Sequence, residues 1–249
     1  MSIERIGSGP AEHAQAPGVG DAGPSAPSEA TRLQVLATEH WSLLATRALT
    51  YQESLGRVSM FLTILSGAVI ALALVAQADH FGQIFITVAI FMLTVVFFTG
   101  VATVRRLNML NRDDYKWVVG MNRLRHAYLD LRPELEPNFL TSPYDDLPGA
   151  LQTLGLDQVS APALGTVFHA FVTLPGMLGV IVSSVGGAVA ALAAAGFGAP
   201  PYVVLLAGAA AFVVSLVGIM RSGRRSFRSF GPGVVSRFPT PPKPPTSNR

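Results

Sequence analysis

Apolar residues fall into two long blocks, each punctuated once. Between Arg57 and Arg105 the only charged residue is Asp79, and from Gln158 to Met220 there is none. Each block has room for two bilayer crossings at about 20 residues apiece. In the first block Val58 to Ala78 forms span one and Phe81 to Val104 forms span two. The link between them, carrying Asp79 and His80, is short enough to force antiparallel neighbours. In the second block the segment GFGAPP from Gly196 to Pro201 makes the turn, and Tyr202 to Met220 is span four. Taken as one helix, Gly165 to Ala195 would run about 46 Å, longer than the roughly 30 Å hydrocarbon core. Pro175 therefore marks either a kink or the start of span three near the interface.

Helical periodicity continues beyond the first hairpin at both ends. From Thr31 to Arg57, Leu33, Leu36, Trp41, Leu43, Leu44, Tyr51 and Leu55 form a broad apolar face, with Arg32, Glu39, Arg47 and Glu53 elsewhere. A face flanked by acids as well as arginines fits a helix docked on its own protein better than one lying in the lipid surface. Span two runs without Pro into Arg105, and the helix is expected to continue to about Leu131, where Pro133 stops it. Over that extension Leu107, Leu110, Trp117, Met121, Leu124, Tyr128 and Leu131 make a heptad-like stripe interrupted by Asp114. Its cover is either the 31–57 helix of the same chain or the same stripe of another subunit. Beyond it, Pro133, Pro137, Pro143, Pro148 and Pro162 predict an irregular loop with one short helix near Asp146 to Leu154.

The expected organisation is all-α and polytopic, with four transmembrane helices in two hairpins and cytoplasmic helical extensions. Residues 1–30 are a Gly- and Pro-rich disordered tail without the apolar core of a signal peptide, so the first hydrophobic helix remains a permanent span. Residues 31–57 are the amphipathic helix, 58–104 the first hairpin, 105–164 the helix and loop, 165–220 the second hairpin, and 221–249 a basic, Pro-rich tail.

Composition agrees: half of the 249 residues are hydrophobic and 13% are charged, against about 25% charged in an ordinary soluble domain. The positive charge decides orientation. Arg47 and Arg57 flank span one, Arg105, Arg106 and Arg112 follow span two, and Arg221, Arg224, Arg225 and Arg228 follow span four, while neither predicted outer turn holds a Lys or Arg. The positive-inside rule then places both termini and the central loop in the cytoplasm. The excess of Arg over Lys, with abundant Ala, Gly, Val and Pro, has the bias of a GC-rich bacterial genome, so the expected location is a bacterial plasma membrane.

Candidate chemistry is sparse. The absence of cysteine removes disulfides, thiolate metal sites and cysteine nucleophiles. The spans hold no Asp, Glu, Lys or Arg, which argues against a proton-coupled pump, and His169 reads as interfacial. The five histidines lack metal-ligand spacing, leaving only a cross-helix set such as His40, His126 and Glu39. No phosphate-binding loop occurs; no cofactor, metal or catalytic residue is assigned, and nucleic acid is not an expected partner. The clearest motif is Gly179, Ser183, Gly187, Ala191 and Ala195, a small-residue edge for close helix approach in lipid, matched in span four by Ala207, Ala211 and Ser215. This edge joins either spans three and four of one subunit or two subunits. The RSGRRSFRSF segment, with Arg221, Arg224, Arg225 and Arg228, is a topogenic cluster that would touch anionic lipid headgroups. The terminal prolines read as a solvated tail or a polyproline ligand.

Two segments, SLLATRALTYQESLGRVSMFLTILSGAVIALALVAQ and DYKWVVGMNRLRHAYLDLRPELEPNF, carry a resemblance to a family of uncharacterised actinobacterial four-span membrane proteins, covering about Leu36 to Asp146. That resemblance implies no activity. In layout alone the chain is similar to two-span, pore-type effector modules of bacterial defence systems. The expected function is assembly: a non-enzymatic scaffold or regulatory subunit that forms a homo-oligomer or joins a membrane-protein partner in the lipid bilayer. The alternative is a homo-oligomeric, weakly selective pore lined by Gln83, Thr87, Thr94 and Thr103 of span two.

Overall fold

The computed structural model describes residues 28–156, 173–228 and 235–242. Those residues hold helices and no strand, and four of the helices are long and apolar enough to cross a membrane. The protein is therefore an all-α polytopic membrane protein. The expectations for the first 27 residues and for His169 lie outside the described residues.

Helix α1 (Glu29–Asp79) starts at Ser28, whose side chain accepts the Thr31 N–H. It runs unbroken for 51 residues, about 76 Å at 1.5 Å per residue and well over twice the hydrocarbon thickness. The amphipathic segment and span one are thus a single rod. Gly56, at their junction, sits in open space and introduces no break. A helix continuous with its span projects away from the bilayer instead of lying in its surface.

Helix α2 (Gln83–Leu131) returns antiparallel after only three residues. Asp79 makes this turn possible. Its carboxylate accepts the Phe85 N–H at 2.7 Å and its carbonyl the Gly82 N–H at 2.9 Å. His80 and Phe81 both take left-handed φ values, 49° and 61°, at a cost of order 1–3 kcal/mol each. A Cβ at position 82 would stand 2.8 Å from the Asp79 carboxylate, so the third residue has to be glycine. The lone acid of the first apolar block is the clamp of this turn.

The α2 helix ends at Leu131, where Arg132 caps it and Pro133 opens a 3-10 turn (Pro133–Asn138). A short helix, α3 (Leu147–Thr153), follows with Asp146 as its N-cap. Span three is α4 (Leu174–Gly196), capped by Thr173, with Pro175 in its first turn. The proline therefore starts the helix instead of kinking it, because its missing N–H falls where no intrahelical partner exists. Helix α5 (Pro201–Arg228) continues past Met220, the sequence-predicted end of span four, so the basic segment begins as helix.

Helix α2 lies at the centre, with α1 on one side and the α4–α5 hairpin on the other. Gly100 is the crossing point: a Cβ there would come within 2.5 Å of Val182 on α4 and 2.8 Å of Phe61 on α1. Around it Phe61, Val96, Val104, Leu107, Leu178 and Val182 form the buried core. The α4 small-residue edge faces α5 of the same chain. A Cβ on Gly187 would lie 2.9 Å from the Gly208 carbonyl, one on Gly208 3.2 Å from Ala191, and one on Gly179 3.1 Å from Ile219. Ser183 is buried, whereas Ala195 is exposed at the end of the helix. Near the turns, a Cβ on Gly196 would be 3.1 Å from Ile86, so both hairpin turns emerge on one side of the membrane.

Gly187→Leu is expected to force α4 from α5 and lower the melting temperature in detergent by several degrees, the overpacking cost being about 1–3 kcal/mol. Gly218→Leu, into space empty within 4 Å, should leave it unchanged. Differential scanning fluorimetry of the two variants makes the comparison.

Candidate functional site

Beyond the membrane, the outer parts of α1 and α2 form a two-helix stalk about 40 Å long. Its register is marked by ion pairs at mirrored distances from the turn: Arg106 with Glu53 at 3.0 Å, Arg47 with Asp114 at 2.7 Å and Arg132 with Glu29 at 2.8 Å. Glu53 also receives Arg57, and hydrogen bonds from Arg106 and Arg57 hold its carboxyl below the ordinary range. These groups are one-third to one-half exposed, so each pair contributes roughly 0–1 kcal/mol and fixes register more than stability. Leu43 closes over Gly120, where a Cβ would meet it at 3.0 Å.

The stripe foreseen on α2 divides. Leu107, Leu110 and Met121 are buried, while Trp117, Leu124, Tyr128 and Leu131 are half-buried. The most enclosed positions also include Val118 and Val119, which pack with Met121 against Ala150 and Leu154 of the α3 region and Leu43 of α1. Asn122 ties that region down. Its amide donates to the Tyr144 carbonyl at 2.7 Å, and its oxygen accepts from Thr153 at 2.9 Å and from Arg125 at 2.7 Å. Burial, then the charge of Arg47, lowers the Arg125 pKa. Burial, then the charge of Arg125, lowers that of His40.

The densest polar constellation lies on the outer flank of this region, where residues 235–240 of the tail return to the stalk. Asp145, its side chain fully enclosed, receives the Ser236 hydroxyl at 2.7 Å, the Arg237 N–H at 2.9 Å and the Phe238 N–H at 2.8 Å. Arg123 donates to the same carboxylate at 2.6 Å and to the Val235 carbonyl at 2.5 Å. The Asp145 N–H in turn donates to the Phe238 carbonyl at 3.1 Å. Pro239 has no N–H to offer, and the next donors go to Asp146: Thr240 N–H at 2.8 Å and Thr240 hydroxyl at 2.7 Å. Phe238 stacks on His126 with ring centroids 3.9 Å apart.

Burial by itself would raise the Asp145 pKa, but the donors from Arg237, Arg123, Ser236 and Phe238 outweigh it and hold the carboxyl well below the usual range. Asp146 follows the same logic, burial opposed by Thr240 and the Gly149 N–H. Both carboxylates are saturated with donors. The arrangement is a cradle that reads a peptide by its N–H and O–H groups.

Of the other candidate residues His126 alone borders it, stacked on Phe238. His40 sits beside Tyr128, and among the described residues no three His, Cys, Asp or Glu side chains converge as a metal site. Arg221, Arg224 and Arg225 are exposed on the last turns of α5, and Arg228 ends that helix with its side chain outside the described residues. On α2, Gln83 and Thr87 are exposed, Thr94 is half-buried and Thr103 is buried. The Thr87 and Thr103 hydroxyls return to their own backbone, on the Gln83 and Thr99 carbonyls. Sequence reasoning missed the cradle because it read the basic start of the tail as a topogenic, lipid-contacting cluster and the terminal prolines as a solvated tail or a polyproline ligand. The available signal was Phe238, an aromatic set directly before the proline run of the tail, with an Asp–Asp pair in the loop.

Asp145→Asn should speed exchange of the Arg237 and Phe238 amides by about tenfold or more with the spans intact, since a hydrogen bond to a charged group contributes about 1.5–3 kcal/mol. Hydrogen-exchange mass spectrometry of the protein in nanodiscs measures it. The pH dependence follows from the depressed Asp145 pKa. The stabilisation is full above the ordinary carboxylate value of 3.8 and fades as pH falls below it toward the lowered one. A dye on Pro242→Cys should therefore keep constant anisotropy from about pH 8 to pH 5 and lose it only in strong acid.

No protein-family model matches this chain, and no curated protein or solved structure is significantly similar to it.

Proposed function

We propose that this protein is a membrane-anchored assembly scaffold, a non-enzymatic subunit that binds a second copy of itself or another membrane protein through its stalk. The observation that carries this reading is an uncovered seam on α1. Trp41, Leu44, Ala48, Tyr51 and Leu55 follow one another at the three-four spacing of a coiled-coil face. Trp41 is 70% exposed and Tyr51 62% exposed. These residues lie outside the apolar span, so lipid tails do not cover them. Large aromatic residues on a rigid, ion-paired rod are the composition of an interface centre. Exposed apolar stripes of this length mark interaction sites in soluble surroundings. The seam runs along a flank of α1 beside its α2-facing side, where Leu44, Ala48 and Tyr51 border a groove with Leu110 and Asp114 of α2.

We place the stalk, both termini and the cradle on the cytoplasmic side of a bacterial plasma membrane, on the strength of the arginines that flank spans one, two and four on that side and are missing from both turns. The native chain has no cysteine, so single introduced cysteines report cleanly. Ala78→Cys and Gly198→Cys should react with an impermeant maleimide from outside, and Asn138→Cys only after lysis. Labelling of Asn138→Cys in intact cells would reverse the topology.

Light scattering of the detergent-solubilised protein tests the assembly. Trp41→Ala with Tyr51→Ala is expected to reduce the particle to a single chain while leaving melting temperature within about a degree, because exposed side chains contribute little to monomer stability. A wild-type particle that is already a single chain, and that recovers no membrane-protein partner by crosslinking from its native membrane, would sink the proposal.

A further inference from the structure

The tail is held through hydroxyl groups aimed at carboxylates, and the two hydroxyls differ in their surroundings. Ser236 donates to Asp145, whose charge is shared with Arg123 and with two backbone N–H groups. Thr240 donates to Asp146, whose other donors are the N–H groups of Gly149, Thr240 and Asp146 itself, with no arginine or lysine among its hydrogen-bond or ion-pair partners in the described residues. A negative charge at position 236 would have Arg123 nearby to offset it. At position 240 it would meet an ionised carboxylate directly, at the 2.7 Å now spanned by a hydrogen bond.

We propose that Thr240 is a phosphorylation site and that its modification releases the tail from the Asp145–Asp146 cradle. The donor is ATP and the catalyst a serine/threonine protein kinase. The bond between the γ-phosphorus and its bridging oxygen breaks, a bond from phosphorus to Thr240 Oγ1 forms, the hydroxyl proton leaves to the kinase base, and ADP departs. The product carries close to two negative charges and only acceptor oxygens where the cradle requires a donor. The hydrogen bond is lost and a like-charge contact replaces it. Nor can the segment slide to escape, because Pro239 has no N–H and the donors on either side are fixed to different carboxylates. Kinases take their substrates extended, and Thr240 stands between the exposed Pro239 and Pro241, followed by the exposed Pro242. That sequence favours an extended backbone whenever the tail is off the cradle and matches a proline-directed enzyme. Phosphorylation captures the free tail and keeps it free, shifting a pre-existing equilibrium. The consequence is local: the stretch from α5 to the outer end of the stalk loses its anchor, and His126 and both carboxylates are bared, while α4 and α5 stay packed on α2.

This inference rests on the tail geometry and not on the scaffold reading, and the two fail separately: assembly is read by particle mass, tail docking by amide exchange. The full-length chain in nanodiscs is compared unmodified, with phosphothreonine genetically encoded at 240, and as Thr240→Val. Exchange at Arg237 and Phe238 should accelerate about tenfold or more with phosphothreonine and only a few-fold with Thr240→Val, which loses the hydroxyl without adding charge. Asp146→Asn keeps a good helix cap and should remove most of the extra penalty of the phosphate. Protection within about twofold of the unmodified chain, or equal loss in Thr240→Val, would overturn the proposal, as would a phosphate effect unchanged by Asp146→Asn. Incubation with ATP and a proline-directed kinase should add a phosphate at Thr240, faster in Asp145→Asn, whose tail is loosened. No phosphate there in that variant would equally refute it.

Discussion

The register of α1 against α2 is the constraint on which everything outside the membrane depends. A three-residue turn leaves no slack, so the position of Asp79 relative to Gly82 and Phe85 determines which residues face each other along both long helices. The pairs Arg106–Glu53, Arg47–Asp114 and Arg132–Glu29 are the readout of that register. Each is weak because it is partly solvated. Together they exclude a slide of one helical turn, which would bring unlike partners opposite each other. The strained His80 and Phe81 are tolerated because the carboxylate of Asp79 supplies the first turn of α2 with an acceptor for the otherwise unpaired Phe85 N–H.

Within the membrane the same problem is met by size. Lipid offers no hydrophobic drive for helix association, so close backbone approach and dispersion contacts decide the packing. Gly100 lets α1 and α4 converge on α2, and Gly187 with Gly208 lets α4 meet α5. Exposed apolar residues such as Ile70, Phe91, Leu205 and Val214 face outward, as lipid-contacting positions require. The central place of α2 means that its one surface near Gly100 couples both hairpins, and its extension carries that coupling outward to the α3 region and the tail.

The cradle follows from donor and acceptor counting. The segment from Ser236 to Thr240 presents N–H groups at 237, 238 and 240, hydroxyls at 236 and 240, and a proline at the one position with nothing opposite. Two adjacent carboxylates can take all of these because each has several lone-pair directions. Arg123 balances Asp145, whereas Asp146 depends on neutral donors. This asymmetry, more than the number of bonds, makes the two ends of the docked segment respond differently to added charge.

The spans, the hairpin pairing, the continuation of α2 to Leu131 and the short helix after Asp146 were all legible in the chain. They depend on local properties: apolar runs, link length, and the places where Pro133 and Asp146 end or begin a helix. The small-residue edge was legible as an edge, but its partner was not, because a row of Gly179, Ser183 and Gly187 has the same spacing whichever helix it meets. Likewise the face of α1 could be seen, yet not that Leu43 would be covered while Trp41 and Tyr51 stayed open. That choice depends on rotation about a helix axis fixed by a turn far along the chain. The docking of the tail was invisible for the same reason at longer range. Asp145 and Phe238 lie far apart in sequence and share no periodicity, so only the packing of α3 on α2 places the carboxylates where the returning N–H groups arrive. Local apolarity and turn chemistry determined the elements; the tertiary structure alone decided which of their faces are shared, because that is set by register and rotation, which no window of sequence contains.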